Sequence, residues 1–304
     1  MRKVGFVFLI GLVLATPCYG KVGQSTGELL KMGIGARPLG MGASFCALSD
    51  DISCIYYNQA GLSRIKAHEF IACGTRSWIE DVYKVFLGYA GRLSENNAFG
   101  VSVIYLDKGD FDLRDKKEAT YNPTSIGSDM GLIFSFSQSL GFLCLGVNAK
   151  IVSSKLYNET GKGVCGDIGI LLFPESLLSI GINCQNIGSI EIREKEDLPF
   201  NIKGGFAIKL RNKIIIAVDV DRFKEESDMK YHGGLEYLIS DSFIVRGGYS
   251  TNDITGLLPG ASFGLGFIDK KGILFKQGEV DIDYALQSFG DLGLNHRVSL
   301  IFKF

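Results

Sequence analysis

The sequence is poor in proline, histidine and net charge, and each shortage excludes a class of structure or function. It contains 6 prolines and 3 histidines, and its formal net charge is −1. Few prolines leave long β-ladders intact, because every backbone donor remains available. No C-x-x-C pair occurs and no histidine is spaced with cysteines as in a zinc site, so we expect no metal and no cofactor. The balanced charge provides no basic stripe for phosphates, which excludes nucleic acid as a partner.

Long apolar runs are also missing beyond residue 20, since none reaches the roughly 20 residues that a membrane-spanning helix needs. A membrane location would therefore require a closed β-barrel. Residues 1–20 themselves combine basic Arg2 and Lys3, a short apolar run and small residues near Gly20. This order predicts a secretory signal peptide, with a permanent anchor or lipidation at Cys18 as the weaker alternatives.

The cysteines leave two interpretations open. Export would permit disulfides, and Cys46 with Cys54 or Cys144 with Cys165 are candidate pairs. Small, buried free thiols are at least as good an interpretation. Of the 7 cysteines, those that follow the predicted signal peptide are Cys46, Cys54, Cys73, Cys144, Cys165 and Cys184.

From residue 67 onward, polar and apolar residues alternate. In residues 297–304, Val298, Leu300 and Phe302 share one face, polar side chains take the other, and the segment ends on aromatic Phe304. This is the lipid-out, polar-in pattern of a membrane β-barrel strand. We therefore predict an all-β membrane protein, an antiparallel transmembrane β-barrel of about 14 strands with a short, partly helical N-terminal plug. The strands are expected near 67–77, 81–92, 96–107, 126–138, 140–157, 162–173, 176–186, 199–210, 213–222, 228–239, 242–250, 259–268, 273–287 and 293–304.

The connections between these strands alternate in length, as the short periplasmic turns and longer outer loops of bacterial barrels do. Tight turns are expected at 139, 174–175, 211–212, 240–241 and 269–272, and the longer gaps include 108–125, 187–199, 223–227 and 251–258. An even strand number places both ends of the barrel on the periplasmic side.

Residues 21–66 do not alternate, and we predict that they enter the barrel from the periplasmic side as a plug. Residues 33–42 are too rich in glycine for a helix, whereas Asp50 and Asp51 are expected to cap a short helix at 54–57. The predicted division is a signal peptide at 1–20, a plug at 21–66 and a barrel at 67–304.

Side-chain parity assigns a set of charged residues to the lumen. Acidic and basic residues on adjacent strands predict a ladder of ion pairs, which would stabilise the wall and hold the plug. Asp281 and Asp283 are expected beside Arg297 of the following strand. A path for substrate is the alternative. The set is Asp219, Asp221, Glu236, Arg246, Asp281, Asp283 and Arg297.

Residues 260–264 satisfy G-x-S-x-G, and aspartates and then His296 follow in the order of a hydrolase triad. A nucleophile elbow needs a strand, a turn and a helix, whereas this pentapeptide lies inside an alternating strand. Ser262 has the lumenal parity and His296 the lipid parity, so the two should not meet. We expect no enzyme.

Motifs in a fixed order then indicate a family. They are G-A-R-P-L-G-M-G-A-S-F at 35–45, L-S-D-D at 48–51 and Y-N-Q-A-G-L at 57–62, with further segments at 183–188, 234–237, 246–249, 283–285, 290–293 and 295–300. Together they resemble the PorV/PorQ family, which is related to the FadL-type outer-membrane barrels, and the family's fourteen strands agree with the count above. Gln59 stands where the family motif has proline, so the turn there is less rigid.

The resemblance implies a non-enzymatic protein of the outer membrane and two divergent functions. PorV-like members act as accessories in protein export by the type IX secretion route, which is the first expectation. FadL-like relatives instead pass hydrophobic small molecules such as long-chain fatty acids through a lateral opening, which is the alternative. A structural barrel without cargo is a third interpretation.

The expected partners follow from these functions. They are outer-membrane lipid, the barrel-assembly machinery, and either secreted proteins and secretion-system subunits or hydrophobic small molecules. A protein partner would contact the outer loops at 108–125 and 187–199, and Phe304 would serve as the assembly signal. The plug residues expected to meet a ligand are Arg37, Met41, Phe45, Tyr57 and Asn58.

Overall fold

The computed structural model describes residues 27–77, 82–112, 123–157, 159–175, 177–211, 213–226, 228–251, 258–270, 272, 276 and 278–304, so the predicted signal peptide lies outside the described residues. Fourteen antiparallel strands pair in chain order, and the last pairs with the first, which closes a transmembrane β-barrel. The predicted fold class is therefore confirmed.

The strand boundaries lie within a few residues of the predicted ones for most of the barrel. The barrel strands are β1 (Glu69–Ser77), β2 (Tyr83–Arg92), β3 (Asn97–Asp107), β6 (Gly127–Leu140), β7 (Leu143–Leu156), β8 (Glu159–Glu175), β9 (Leu178–Glu191), β11 (Asn201–Leu210), β12 (Ile214–Phe223), β13 (Lys230–Leu238), β14 (Phe243–Ser250), β15 (Ala261–Asp269), β16 (Glu279–Ser288) and β17 (Leu294–Lys303). Three further short strands are β4 (Asp110–Asp112), β5 (Pro123–Ser125) and β10 (Lys195–Asp197).

Alternation along the strands separates the two faces of the wall. Val218 is 42% exposed on the outer face, whereas the next residue, Asp219, is 1% exposed in the lumen. In β17, Val298 is likewise exposed, while Arg297 and Ser299 are buried. This is the pattern of a strand with lipid on one side and packed protein on the other.

The connections keep the predicted alternation, although several bounds were wrong. The β6–β7 turn lies at 141–142 instead of Ser139, because Gly141 supplies the positive φ of 72° that a tight hairpin turn requires. Residues 187–199 are mostly strand, since β9 continues to Glu191 and β10 folds back on it. We call the side with the short connections and the C-terminus the turn end, and the opposite side the loop end.

The lumen is filled by the N-terminal segment, which we call the plug. It contains 3₁₀ turns at Glu28–Leu30 and Gln59–Arg64 and short α-helices at Ala36–Gly40 and Cys54–Tyr57. Its apolar side chains, among them Phe45 and Ile55, form one cluster with inward-facing wall residues such as Phe86, Ile104 and Ile301. The domain core therefore lies between the plug and the wall. Within the described ranges, no helix is long and apolar enough to cross a membrane.

Two expectations for the plug were wrong. Residues 33–42 do contain a helix, because their glycines lie at its ends and Pro38 occupies the first turn, where no backbone donor is needed. The segment also does not rise from the turn end: Leu30 packs on Leu198 at the loop end, and Arg64 lies over Phe173 at the turn end. The described plug therefore crosses the whole barrel.

Candidate functional site

The centre of the plug–wall interface is a buried network of charges around Arg37. Its Nε and Nη2 donate to Glu236 of β13 at 2.8 and 3.0 Å, and its Nη1 donates to Asp50 and Asp51 of the plug at 2.8 and 2.7 Å. Arg246 of β14 donates to the same Glu236 at 2.6 Å. Bidentate and shared contacts of this kind hold a guanidinium in one geometry. The network therefore ties the helix Ala36–Gly40, through the side chain of Arg37, to β13 and β14.

Asp50 connects this network to β11, two strands away from β13 in the wall. Its Oδ2 accepts from Nζ of Lys209 in β11 at 2.5 Å. Burial alone would raise the pKa of Asp50, but the charges of Arg37, Lys209 and Arg64 outweigh it and hold the pKa well below its usual range. The carboxylate is thus ionised throughout the physiological pH range. Asp51 also accepts from the backbone of Ser53 at 2.8 Å, next to the helix Cys54–Tyr57.

Asp219 of β12 holds the middle of the plug. Its Oδ2 accepts from the backbone N–H groups of Phe45 and Cys46, both at 2.8 Å. Lys203 lies 3.4 Å from the same carboxylate oxygen and donates to the carbonyl of Ala43 at 2.9 Å. A wall carboxylate and a wall ammonium thus satisfy three backbone groups of an irregular segment that has no ladder of its own.

Side-chain amides of the wall bind the second half of the plug in the same way. Asn148 of β7 and Asn183 of β9 donate to the carbonyls of Ile55 and Tyr57, both at 2.9 Å. In the reverse direction, Asn58 of the plug donates to the carbonyl of Ile170 in β8 at 3.0 Å. Polar pairing therefore surrounds the plug on most sides of the lumen.

Glycines of the wall allow the plug backbone to approach closely. A Cβ on Gly248 of β14 would lie 2.1 Å from the nitrogen of Gly42, and one on Gly181 of β9 would lie 2.4 Å from the carbonyl oxygen of Cys46. Such distances are impossible for real atoms, so only glycine fits. Part of the 39 glycines in the chain is therefore explained by plug docking rather than by turns. We call these positions the glycine seats; they are Gly146, Gly181, Gly234 and Gly248.

The charged residues predicted for the lumenal ladder all lie in the lumen, but their partners differ from those expected. Asp283 pairs with Arg246 at 2.6 Å, and Asp281 pairs with Lys303 at 2.6 Å. Arg297, expected beside both aspartates, instead lies opposite Ala285 and donates to the carbonyl of Gly33 at 3.3 Å. Parity predicts which face of a strand a side chain lies on, but it does not predict where the plug lies. Here Arg297 contacts the plug instead of the two aspartates.

Three further members of that set also contact the plug or its neighbours. Oδ1 of Asp221 accepts from Nε2 of His232 at 2.5 Å, and Nδ1 of His232 contacts the carbonyl of Gly42 at 2.8 Å. Glu236 and Asp219 bind Arg37 and two plug backbone groups as described above. The wall charges are thus used mainly to hold the plug.

Cavities lie at both ends of the plug. One, of about 300 Å³ at the loop end, is lined by Leu39, Tyr57, Phe289 and Arg297 among others. Another, of about 650 Å³ at the turn end, is lined by charged groups that include Asp50 and Lys303. The plug between them separates the two sides of the barrel.

The five plug residues expected to meet a ligand are placed differently with respect to these cavities. Tyr57 lines the loop-end cavity and donates to the carbonyl of Ile34 at 2.9 Å. Met41 and Phe45 are fully buried, and Arg37 and Asn58 are engaged with the wall. A role in ligand contact stays a prediction for all five. Sequence reasoning did not single out Leu39 or Phe289, because nothing in the local pattern marks a residue as lining a gap above the plug.

Phe304 and the cysteines complete the set of predicted features. Phe304 exchanges backbone hydrogen bonds of 3.0 Å with His68, which extends the closing pair of strands by one step. Cys46, Cys54, Cys73, Cys144, Cys165 and Cys184 are free, and five of them are buried. No group of metal-binding side chains is assembled by the described residues.

Comparison with known proteins gives a likeness of fold. No protein-family model matches the chain, and no curated protein matches it. Among solved structures, the CymD monoaromatic hydrocarbon channel is 14% identical, with 90% of this chain and 98% of that chain covered and a TM-score of 0.62. The toluene transporter TbuX of Ralstonia pickettii is 12% identical, with 89% and 97% covered and a TM-score of 0.61.

A third similar structure is a homologue of FadL. A FadL homologue of Pseudomonas aeruginosa is 10% identical, with 88% of this chain and 98% of that chain covered and a TM-score of 0.57. The chain therefore has the fold of the FadL-like hydrocarbon channels. Membership of the PorV/PorQ family is not shown by these likenesses.

Proposed function

We propose that this protein is an outer-membrane channel for hydrophobic small molecules. The observation that carries the proposal is the likeness of about nine-tenths of the chain to proteins described as a hydrocarbon channel and a toluene transporter. In this proposal the loop end faces the outside of the cell and the turn end faces the periplasm. The ligand enters the loop-end cavity, and the plug must shift before it can pass.

The architecture supports a plugged channel better than it supports an open, water-filled pore. Hydrogen bonds, ion pairs and glycine seats hold the plug on most sides of the lumen, so a water-filled path for ions and sugars would have to cross buried contacts. Apolar packing holds the plug as well, but its polar contacts with the wall can exchange with water one at a time as the plug moves. A channel of this kind admits selected molecules without leaking solutes.

Uptake of a labelled monoaromatic hydrocarbon by whole cells tests the proposal. The host should lack hydrocarbon channels of its own, since its outer membrane then limits entry. Cells that express the protein should accumulate the label faster than cells that carry an empty vector. Equal rates, with the protein shown to be folded in the outer membrane, would contradict the proposal.

The export function, which the sequence placed first, is supported less well than its alternative. Native mass spectrometry of the protein purified in mild detergent separates the two. A bound apolar small molecule agrees with the channel. A stoichiometric protein subunit without such a ligand would favour an export accessory and direct attention to the outer loops.

A further inference from the structure

The outer face of the wall has a groove at the turn end, where the first and last strands pair. The groove has a volume of about 490 Å³, and we call it the seam groove. Its apolar lining comes from four neighbouring strands and consists of Phe70 of β1, Tyr89 of β2, Val280 of β16, Phe302 of β17 and the terminal Phe304. Phe70 and Phe304 are 37% and 63% exposed. The seam groove is therefore part of the surface that contacts the membrane.

Aromatic rings form a continuous cluster along this groove. The rings of Phe70 and Phe302 lie 6.5 Å apart on paired strands. The ring of His68 stacks on those of Tyr89 and Phe304, with centroids 6.0 Å apart in each case. Nδ1 of His68 also lies 2.8 Å from the hydroxyl of Tyr89. Aromatic side chains are enriched at the membrane–water interface, so the groove lies where acyl chains and lipid headgroups both meet the wall.

A charged cluster closes one end of the groove. Glu279 and Lys303 line both the seam groove and the turn-end cavity. Nζ of Lys303 lies 2.8 Å from Glu279 and 2.6 Å from Asp281. One ammonium thus serves two carboxylates of β16, and Oδ1 of Asp281 is buried without a hydrogen-bond partner. The cluster carries more negative than positive charge.

Glu69 adds a third carboxylate to this cluster. It lies opposite Lys303 in the pairing of β1 with β17, is 3% exposed, and accepts from the backbone N–H of Ile52 at 2.8 Å. Among the described residues Glu69 forms no salt bridge, and Lys303 is bound by the carboxylates of β16. Lys66 and Lys270 line the turn-end cavity, but both are exposed and neither lines the seam groove. Even if Glu69 carries a proton, the carboxylates at the groove outnumber the one ammonium between them.

We propose that the seam groove binds phosphatidylethanolamine from the membrane leaflet at the turn end. An acyl chain lies against Phe70 and Phe302, and the headgroup ammonium binds Glu279. This binding is separate from the proposed transport, which enters only through the assignment of the turn end to the periplasm. A volume of about 490 Å³ is within the usual range for small-molecule sites, so the groove holds one part of a single lipid.

The charge of the cluster selects this headgroup among membrane lipids. A primary ammonium has three N–H donors, and its hydrogen bonds to a carboxylate are strengthened by the opposite charges. Phosphatidylglycerol would instead bring a negative charge next to carboxylates that already lack a cation. Phosphatidylcholine has the same net charge as phosphatidylethanolamine, but its ammonium has no N–H to donate. The groove should therefore distinguish lipids whose acyl chains are identical.

Native mass spectrometry of the full protein tests this selectivity. The protein is stripped of lipid in an uncharged detergent and then mixed with phosphatidylethanolamine, phosphatidylglycerol or phosphatidylcholine of the same acyl chains. We expect the first lipid to bind about tenfold more tightly than phosphatidylglycerol, the ratio that one charge-assisted hydrogen bond supplies. Phosphatidylcholine should bind more weakly than phosphatidylethanolamine.

Variants locate the headgroup and the acyl chain separately. Glu279→Gln should reduce the preference for phosphatidylethanolamine, whereas Glu95→Gln, at an exposed position in the β2–β3 turn of the same end, should not. Phe302→Ala should weaken the binding of all three lipids. Its matched control is Phe243→Ala, because Phe243 also belongs to a pair of outward-facing rings at the turn end, with Phe267 at 5.2 Å.

Equal binding of the three lipids by the wild-type protein would overturn the proposal, and that result does not depend on whether a variant folds. An undiminished preference in Glu279→Gln would also overturn it, as would equal effects of Phe302→Ala and Phe243→Ala. Uptake of hydrocarbon enters none of these measurements. Failure of the lipid site would thus leave the channel function untouched, and failure of uptake would leave the lipid site untouched.

Discussion

At the scale of single residues, wall side chains that parity assigns to the lumen act on the plug. Parity alone predicts that Asp219→Asn is tolerated, because a polar group remains in a polar lumen. The structure changes that expectation, since one carboxylate oxygen accepts from two backbone donors and faces Lys203. Asparagine keeps an acceptor but removes the charge that makes these bonds strong.

We therefore predict that Asp219→Asn weakens plug docking by about 1.5–3 kcal/mol, the usual range for hydrogen bonds to charged groups. Hydrogen exchange at the amides of Phe45 and Cys46 measures this directly and should accelerate. Asp241→Asn is the control, because Asp241 is exposed in the β13–β14 turn. Unchanged protection of the two amides in Asp219→Asn would show that another contact holds this part of the plug.

Asp50 gives a prediction about pH. Its pKa is lowered in the folded protein, so its contribution to stability is fully present above the usual aspartate pKa and is lost only as the pH falls through a lower range. The turn-end part of the plug should therefore stay docked from pH 7 down to about pH 4, the ordinary aspartate pKa. Hydrogen exchange as a function of pH checks this, with Asp50→Asn expected to destabilise docking throughout this range. Release of this part near pH 6 would contradict the assignment.

At the scale of elements, the contact between the plug and the wall strands depends on glycine. Gly248 and Gly247 are neighbours in β14, but a Cβ on the first would overlap the plug backbone and one on the second would meet no atom within 4 Å. The two positions form a matched pair on opposite faces of one strand.

We predict that Gly248→Ala displaces the plug near Gly42, whereas Gly247→Ala is tolerated. Limited proteolysis of the plug and the free energy of unfolding should both change for the first variant and stay near the wild-type values for the second. An overlap of this kind typically costs about 1–3 kcal/mol. Equal behaviour of the two variants would contradict the docked position of the plug.

The last strand carries a separate prediction. Phe304 pairs with His68 through two backbone hydrogen bonds at the position where the barrel closes. Deletion of Phe304 should lower the amount of protein inserted into the outer membrane, measured as the heat-modifiable band in unboiled gel samples. A deletion variant that inserts like the full chain would show that the terminal aromatic is not the assembly signal.

At the scale of the whole molecule, the barrel could be predicted from the sequence and much of its interior could not. The number of strands and the face on which each side chain lies follow from the alternation of polar and apolar residues. This alternation can be recognised within each strand from its own sequence. The predicted partners of Arg297 were wrong, because its contacts depend on how the plug, which does not alternate, folds inside the barrel. The helix Ala36–Gly40 was missed for a related reason, since its glycines were counted without regard to their positions at the helix ends.

The two ends of the molecule also differ in what they offer a ligand. The turn-end cavity is lined mostly by charged side chains, whereas the loop-end cavity combines apolar surface with Arg297 and other polar groups. Entry at the loop end and release at the turn end would therefore move an apolar ligand from favourable to less favourable surroundings. In the proposed channel, release at the turn end would require the plug to move, because the plug lies between the two cavities.

Above all, the lumen of this barrel is closed by the plug. Ionic conductance of the purified protein in planar lipid bilayers tests it most directly, with Gly248→Ala and Gly247→Ala measured beside the wild type. The wild type and Gly247→Ala should show almost no steady conductance, and Gly248→Ala should show openings. A steady, water-filled conductance in the wild-type protein would contradict the closed barrel described above.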